Sequence, residues 1–111
     1  MSLYETPITL WYWEQVGGTL IEEFIMVARS LSNGWRAADG LIILGGEMIR
    51  MPLGSKVNIE GKDVIVIQTK DNVLGMNLMG QALFSRDLII KYHNPRSVIS
   101  IALCTKSNAI L

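Results

Sequence analysis

The sequence is short of nearly everything that marks a specialised class of protein. It has one cysteine, Cys104, and one histidine, His93. A single cysteine closes no internal disulfide, and a lone thiol suits a reducing compartment. The same counts exclude four-ligand zinc sites built from cysteine and histidine. Proline is scarce at 3 residues, and no Pro-, Gly- or Ser-rich linker, repeat or low-complexity tract interrupts the chain. Charge of neither sign dominates, since 10 Lys and Arg balance 10 Asp and Glu for a formal net charge of 0. That balance argues against strong non-specific binding to nucleic acid, although it leaves room for a local basic groove. No apolar run approaches the roughly 18–20 residues that cross a bilayer, so no membrane partner is expected. The opening Met1-Ser2-Leu3 has no basic stretch ahead of an apolar core. No cleaved signal is therefore expected, and a cytoplasmic location is.

What the chain does have is apolar surface. Half of its 111 residues are hydrophobic and only 18% are charged, with a mean hydropathy of +0.32. Such a chain buries enough surface to offset its ordering entropy, which excludes disorder. The length suits one domain, 1–111. So much apolar surface on a small body predicts that part of it covers a partner, most simply a second copy in a homodimer.

Local signals predict a mixed α/β order. Thr6-Pro7 opens a helix over 8–16, with the threonine as cap and proline at the first helical position, and Gly17-Gly18 stops it. Strands follow over 19–29 and 35–44, antiparallel across the turn residues Asn33-Gly34. A brief return over 47–51 precedes the breakers Pro52 and Gly54, and 56–60 and 64–70 read as two more strands. Val64-Ile65-Val66-Ile67 is β-branched and unbroken, which is how a strand covered on both faces reads. The longest helix is expected over 76–92, ended by Asn94-Pro95, with a last buried strand over 98–104. A strand, a helix and a strand in that order imply a right-handed crossover and a parallel pair.

The familiar phosphate-binding glycine loop, the dinucleotide fingerprint and the nucleophile elbow are all missing. Chemistry is left to polar residues at the ends of apolar strands. Asp39 interrupts the second strand, and Gln68-Thr69-Lys70 ends the most apolar one. Residues two apart on a strand share a face, so Gln68 and Lys70 are expected to project together. A carboxylate beside an oxygen donor and a lysine is the set a hydrolytic Mg²⁺ site uses. The hard cation takes oxygen ligands, while the ammonium orients water or balances charge at phosphorus. Asp39, Gln68 and Lys70 are therefore expected to converge on one side of adjacent strands. The plainer reading makes Asp39 a turn residue before Gly40 and Lys70 an ordinary strand-end lysine.

This order of elements and residues resembles the PD-(D/E)XK superfamily, the restriction-endonuclease-like nucleases. The resemblance implies a mixed central sheet in a helix-strand-strand-strand-helix-strand core. It makes Asp39 the metal-binding aspartate and Gln68-Thr69-Lys70 the acidic-x-lysine motif, with glutamine in the acidic place as in some branches. The name-giving proline has no counterpart before Asp39. A Glu from the first helix implies Glu14, with Glu5, Glu22 and Glu23 as alternatives. The backbone carbonyl of Thr69 is a further implied ligand, and the long helix adds Gln81, on a stripe with Asn77 and Ser85. The implied activity is Mg²⁺- or Mn²⁺-dependent hydrolysis of phosphodiester bonds, of DNA more than RNA. The alternative is a nuclease-like fold kept as a non-catalytic, self-associating or binding module, which neutrality, apolarity and Gln68 favour. A small α/β interaction domain unrelated to nucleases is the third reading.

Overall fold

The structure, a computed structural model, describes residues 6–27, 36–70 and 76–104, with side chains over 7–26, 37–69 and 83–103. The first helix, α1 (Thr6–Val16), ends at Gly17 and Gly18, both at positive φ (79° and 85°). Gly17 N donates to Trp13 O at 2.7 Å, and the Trp13 indole donates to Gly18 O at 2.7 Å. A Cβ on Gly18 would run into the carbonyl oxygen of Ile43, so only glycine brings α1 this close to the sheet.

Five strands follow: β1 (Thr19–Val27), β2 (Arg36–Ile43), β3 (Arg50–Met51), β4 (Asp63–Lys70) and β5 (Ser97–Cys104), with α2 (Met76–His93) between the last two. They form one sheet in the order β3-β1-β2-β4-β5. β1, β2 and β4 pair antiparallel as a meander, while β5 lies parallel to β4 and the short β3 parallel to β1. The expected mixed α/β sheet, with its hairpin, meander and flanking helices, is the architecture found. No described helix is long and apolar enough to cross a membrane.

The core has two halves, one on each face of the sheet. Leu10, Tyr12 and Trp13 of α1 pack over Leu20, Ile42, Ile65 and Ile67. On the opposite face Ile89 and Leu88 of α2 meet Ile21, Val64 and Val66. β4 thus sends alternate residues to the two helices, which is why its β-branched run is unbroken. Each such side chain, fully buried, adds about 1.5–3 kcal/mol.

One expected strand is not there. Over 56–60 the alternation is strand-like, and Ile59 and Val57 do reach the α2-side core. The segment pairs with no strand, however, because Asn58 Oδ1 accepts the Glu60 N–H at 3.0 Å and bends it. At the other end of the sheet Asp63 clasps the starts of β4 and β5. Its carboxylate accepts from Arg96 (Nε at 2.9 Å, and Nη2) and from Ser97 Oγ at 2.7 Å. The Arg96 hydrogen bond first, then that from Ser97, hold the Asp63 carboxyl down from 3.8 to about 2.

Candidate functional site

A dislocation crosses the middle of the sheet. Along β1, Ile21 packs on the α2 side, and so do Phe24 and Met26. Residues 21 and 24 share a face only where the two-residue alternation slips. The joint is Glu23, whose φ of 54° lies in the left-handed region. β2 slips in the same row, since Ala38 shares its side with Leu41 and Ile43. Pairing continues in unchanged register on both sides, Glu22↔Gly40 and Phe24↔Ala38, so Glu23 stands across from Asp39.

The ladder between β2 and β4 stops in this row as well, its last pair being Gly40↔Ile67. Where backbone pairing would continue, the Asp39 carboxylate takes over. Its Oδ2 accepts the Thr69 N–H at 2.7 Å and the Thr69 hydroxyl at 3.2 Å. Thr69 is itself buried, on the face of β4 that carries Ile65 and Ile67. A charged acceptor on a backbone N–H makes a stronger bond than a neutral one, so the opened strands stay tied.

The other expected residues are placed as follows. Gln68 turns to the opposite face of β4, where its Nε2 donates to Ser85 Oγ of α2 at 2.6 Å. The expected convergence of Asp39 and Gln68 on one side of adjacent strands is therefore not found. The slip in β2 sets Asp39 against Thr69 instead. Glu14 is exposed on α1. Glu22 is buried and ion-paired to Arg50 Nε at 2.5 Å, which fastens β3 to β1. The side chains of Lys70 and Gln81, like that of Asn77, lie outside the described residues, as does Glu5.

Glu23 is the residue that stands in Asp39's row, and the sequence holds a signal for it. The signal is two adjacent acids inside the apolar strand Leu-Ile-Glu-Glu-Phe-Ile, which alternation sends to opposite faces, so that one of them enters the sheet interior. The Oε1 atom of Glu23 is buried. Among the described residues no three His, Cys, Asp or Glu side chains group to hold a metal ion. Mg²⁺ asks for less, since it binds through one or two carboxylates and keeps several waters. Asp39 and Glu23 are oxygen donors of the kind that cation takes, and Asp39 directs its Oδ2 to Thr69 of β4, away from β1.

Elsewhere, a cleft of about 260 Å³ opens between β1, residues 55–57 and the end of α2. His93 lines it and meets Met26 O through Nε2 at 3.0 Å. A carbonyl only accepts, so Nε2 carries the proton. The Phe24 and His93 rings lie 4.9 Å apart, which makes His93 a packing anchor for α2. Comparison with protein-family models, curated proteins and solved structures finds no match for this chain.

Proposed function

We propose that this chain is a nuclease-like domain that hydrolyses phosphodiester bonds of nucleic acid, DNA in preference to RNA. A Mg²⁺ or Mn²⁺ ion is held at Asp39 and Glu23, and the chain acts as a homodimer. The observation that carries the reading is the dislocated row, in which Glu23, at left-handed φ on β1, stands in register with Asp39 of β2, whose carboxylate is bound to Thr69. Strain of that kind costs about 1–3 kcal/mol and gathers at functional sites. When bound, the ion polarises a phosphate oxygen and acidifies its water. Asp39 supplies charge and, through Thr69, fixes the end of β4. The Thr69 carbonyl is a further oxygen donor there, at the end of β4 that Asp39 ties down. Gln68 anchors β4 to α2 through Ser85 and so steadies the row from behind.

A specific observation favours a second reading, the non-catalytic module: Asp39 and Gln68 both hold β4 in place. One experiment separates the two. Duplex DNA is incubated with the protein and Mg²⁺ or Mn²⁺, with and without chelator, and Mn²⁺ binding is titrated in parallel. The nuclease reading expects metal-dependent cleavage that Asp39→Asn abolishes. A parent protein that neither cleaves nor binds Mn²⁺ leaves the module reading in possession.

A further inference from the structure

The segment 55–57 runs past β1 without joining it. β3 pairs only with Leu20 and Ile21, and Gly54 N donates to Glu22 O at 2.9 Å. Beyond that bond, among the described residues, no backbone hydrogen bond ties 55–57 to Phe24, Ile25 or Met26. The gap is the cleft of about 260 Å³, bounded also by the last turn of α2. Its walls are fixed by contacts the fold already needs. Phe24 and Met26 belong to the α2-side core, and Val57 and Tyr92 pack against it. His93 is held by Met26 O and by the Phe24 ring. A cleft walled by core residues stands formed before anything enters it, so binding there carries little ordering cost.

Charge at the cleft has one sign. Lys56 lines it, is exposed, and makes no ion pair among the described residues. Lys91 Nζ stands 5.2 Å from the centroid of the ring of Tyr92, another lining residue. Among the described residues no Asp or Glu lines the cleft. The chain as a whole is neutral, so cations beside apolar walls are a property of this place. Three rings, Phe24, Tyr92 and His93, together with Met26, favour an aromatic body over an aliphatic one. Size narrows the choice further. An apolar cavity of about 150 Å³ takes benzene. About 260 Å³ therefore takes one ring with a short chain, roughly ten non-hydrogen atoms.

We infer that this cleft binds a small aryl carboxylate, one aromatic ring carrying a short acidic chain. The ring enters among Phe24, Met26, Tyr92 and His93, and the carboxylate meets the Lys56 ammonium at the mouth. A carboxylate is ionised at neutral pH, and a charge-assisted bond to an ammonium is stronger than a neutral one. A neutral ring would fill the same space and leave Lys56 unmatched. An apolar side chain of a second copy would do the same. The site uses neither Asp39 nor Thr69 nor a metal ion, so it stands or falls apart from the phosphodiesterase reading.

Titration of the full chain with 3-phenylpropionate tests it, read by NMR on ¹³C-methyl-labelled methionine, with the Met26 signal assigned through Met26→Leu. A saturable ring-current shift of the Met26 methyl is expected, with a Kd of about 10⁻⁴–10⁻³ M for so small a ligand. The methyl of Met48, exposed on the loop before β3, is expected to stay in place. The alcohol 3-phenylpropan-1-ol has the same ring and chain without the charge. It is expected to bind about 3–10-fold more weakly. Lys56→Met keeps the stem of an exposed side chain and is expected to abolish that preference. No saturable shift at Met26 up to about 10 mM overturns the inference. So does equal affinity for acid and alcohol in the parent, or a preference for the acid that survives Lys56→Met. A Met26 signal that answers to protein concentration and not to the acid places a second copy in the cleft and overturns it too.

Discussion

Glu23 concentrates the tension in this molecule at one residue. A left-handed φ is comfortable only for glycine, and to a lesser degree for asparagine or aspartate. A glutamate keeps it here because the strands on either side of the joint stay in register. Two substitutions separate the backbone effect from that of the side chain. Glu23→Ala and Glu23→Gly lose the same carboxylate, yet only glycine accepts a φ of 54° without strain. Glu23→Gly is therefore expected to be about 1 kcal/mol more stable than Glu23→Ala in urea unfolding. Equal stabilities would mean that the joint relaxes when the carboxylate is gone. Glu22, one residue earlier, is fastened to Arg50 and has no such tension to release.

Among the elements, the α1–β1 turn shows how two neighbouring glycines differ. Both have positive φ, but a Cβ at Gly17 meets nothing within 4 Å, whereas one at Gly18 meets the Ile43 backbone. Gly17→Ala is expected to cost about 1 kcal/mol, the conformational term alone. Gly18→Ala should cost clearly more, because backbone must move as well, and thermal unfolding ranks the two. The glycine pair as a helix stop was legible in the sequence, as were the two helices and the four long strands. Periodicity and turn residues act locally, so they survive without a view of the fold. The segment 56–60 misled because its apolar residues do point inward, and alternation alone does not say whether a neighbouring strand exists. The site was legible as residue types at strand ends. The slip that moves Asp39 to Thr69, and brings Glu23 in place of Glu14 into its row, depends on two strands bending together, and neither strand's pattern announces the other's bend.

For the molecule as a whole, the clasp at Asp63 joins the starts of the two parallel strands, and its response to acid has a definite sign. The Asp63 carboxyl is held down from 3.8 to about 2. A depressed carboxyl adds stability above its ordinary value and loses it as pH falls through the folded one. The contribution is thus full at neutral pH and disappears between 3.8 and about 2. Arg96→Ala removes its main cause, so the gap in urea midpoint between parent and variant should narrow across that window. A gap that stays constant would place the Arg96 effect in packing alone. The same parallel pair also carries a consequence for how the chain is made. β4 can join β2 as soon as the hairpin and meander have left the ribosome, but its other edge waits for α2 and β5, the last described elements. Until then Val64-Ile65-Val66-Ile67 presents an uncapped, uncharged, β-branched border of the kind that seeds aggregates. Synthesis arrested near Asn94 would leave that border open to neighbouring nascent chains, which makes prompt completion of the C-terminal crossover a condition for clean production of this protein.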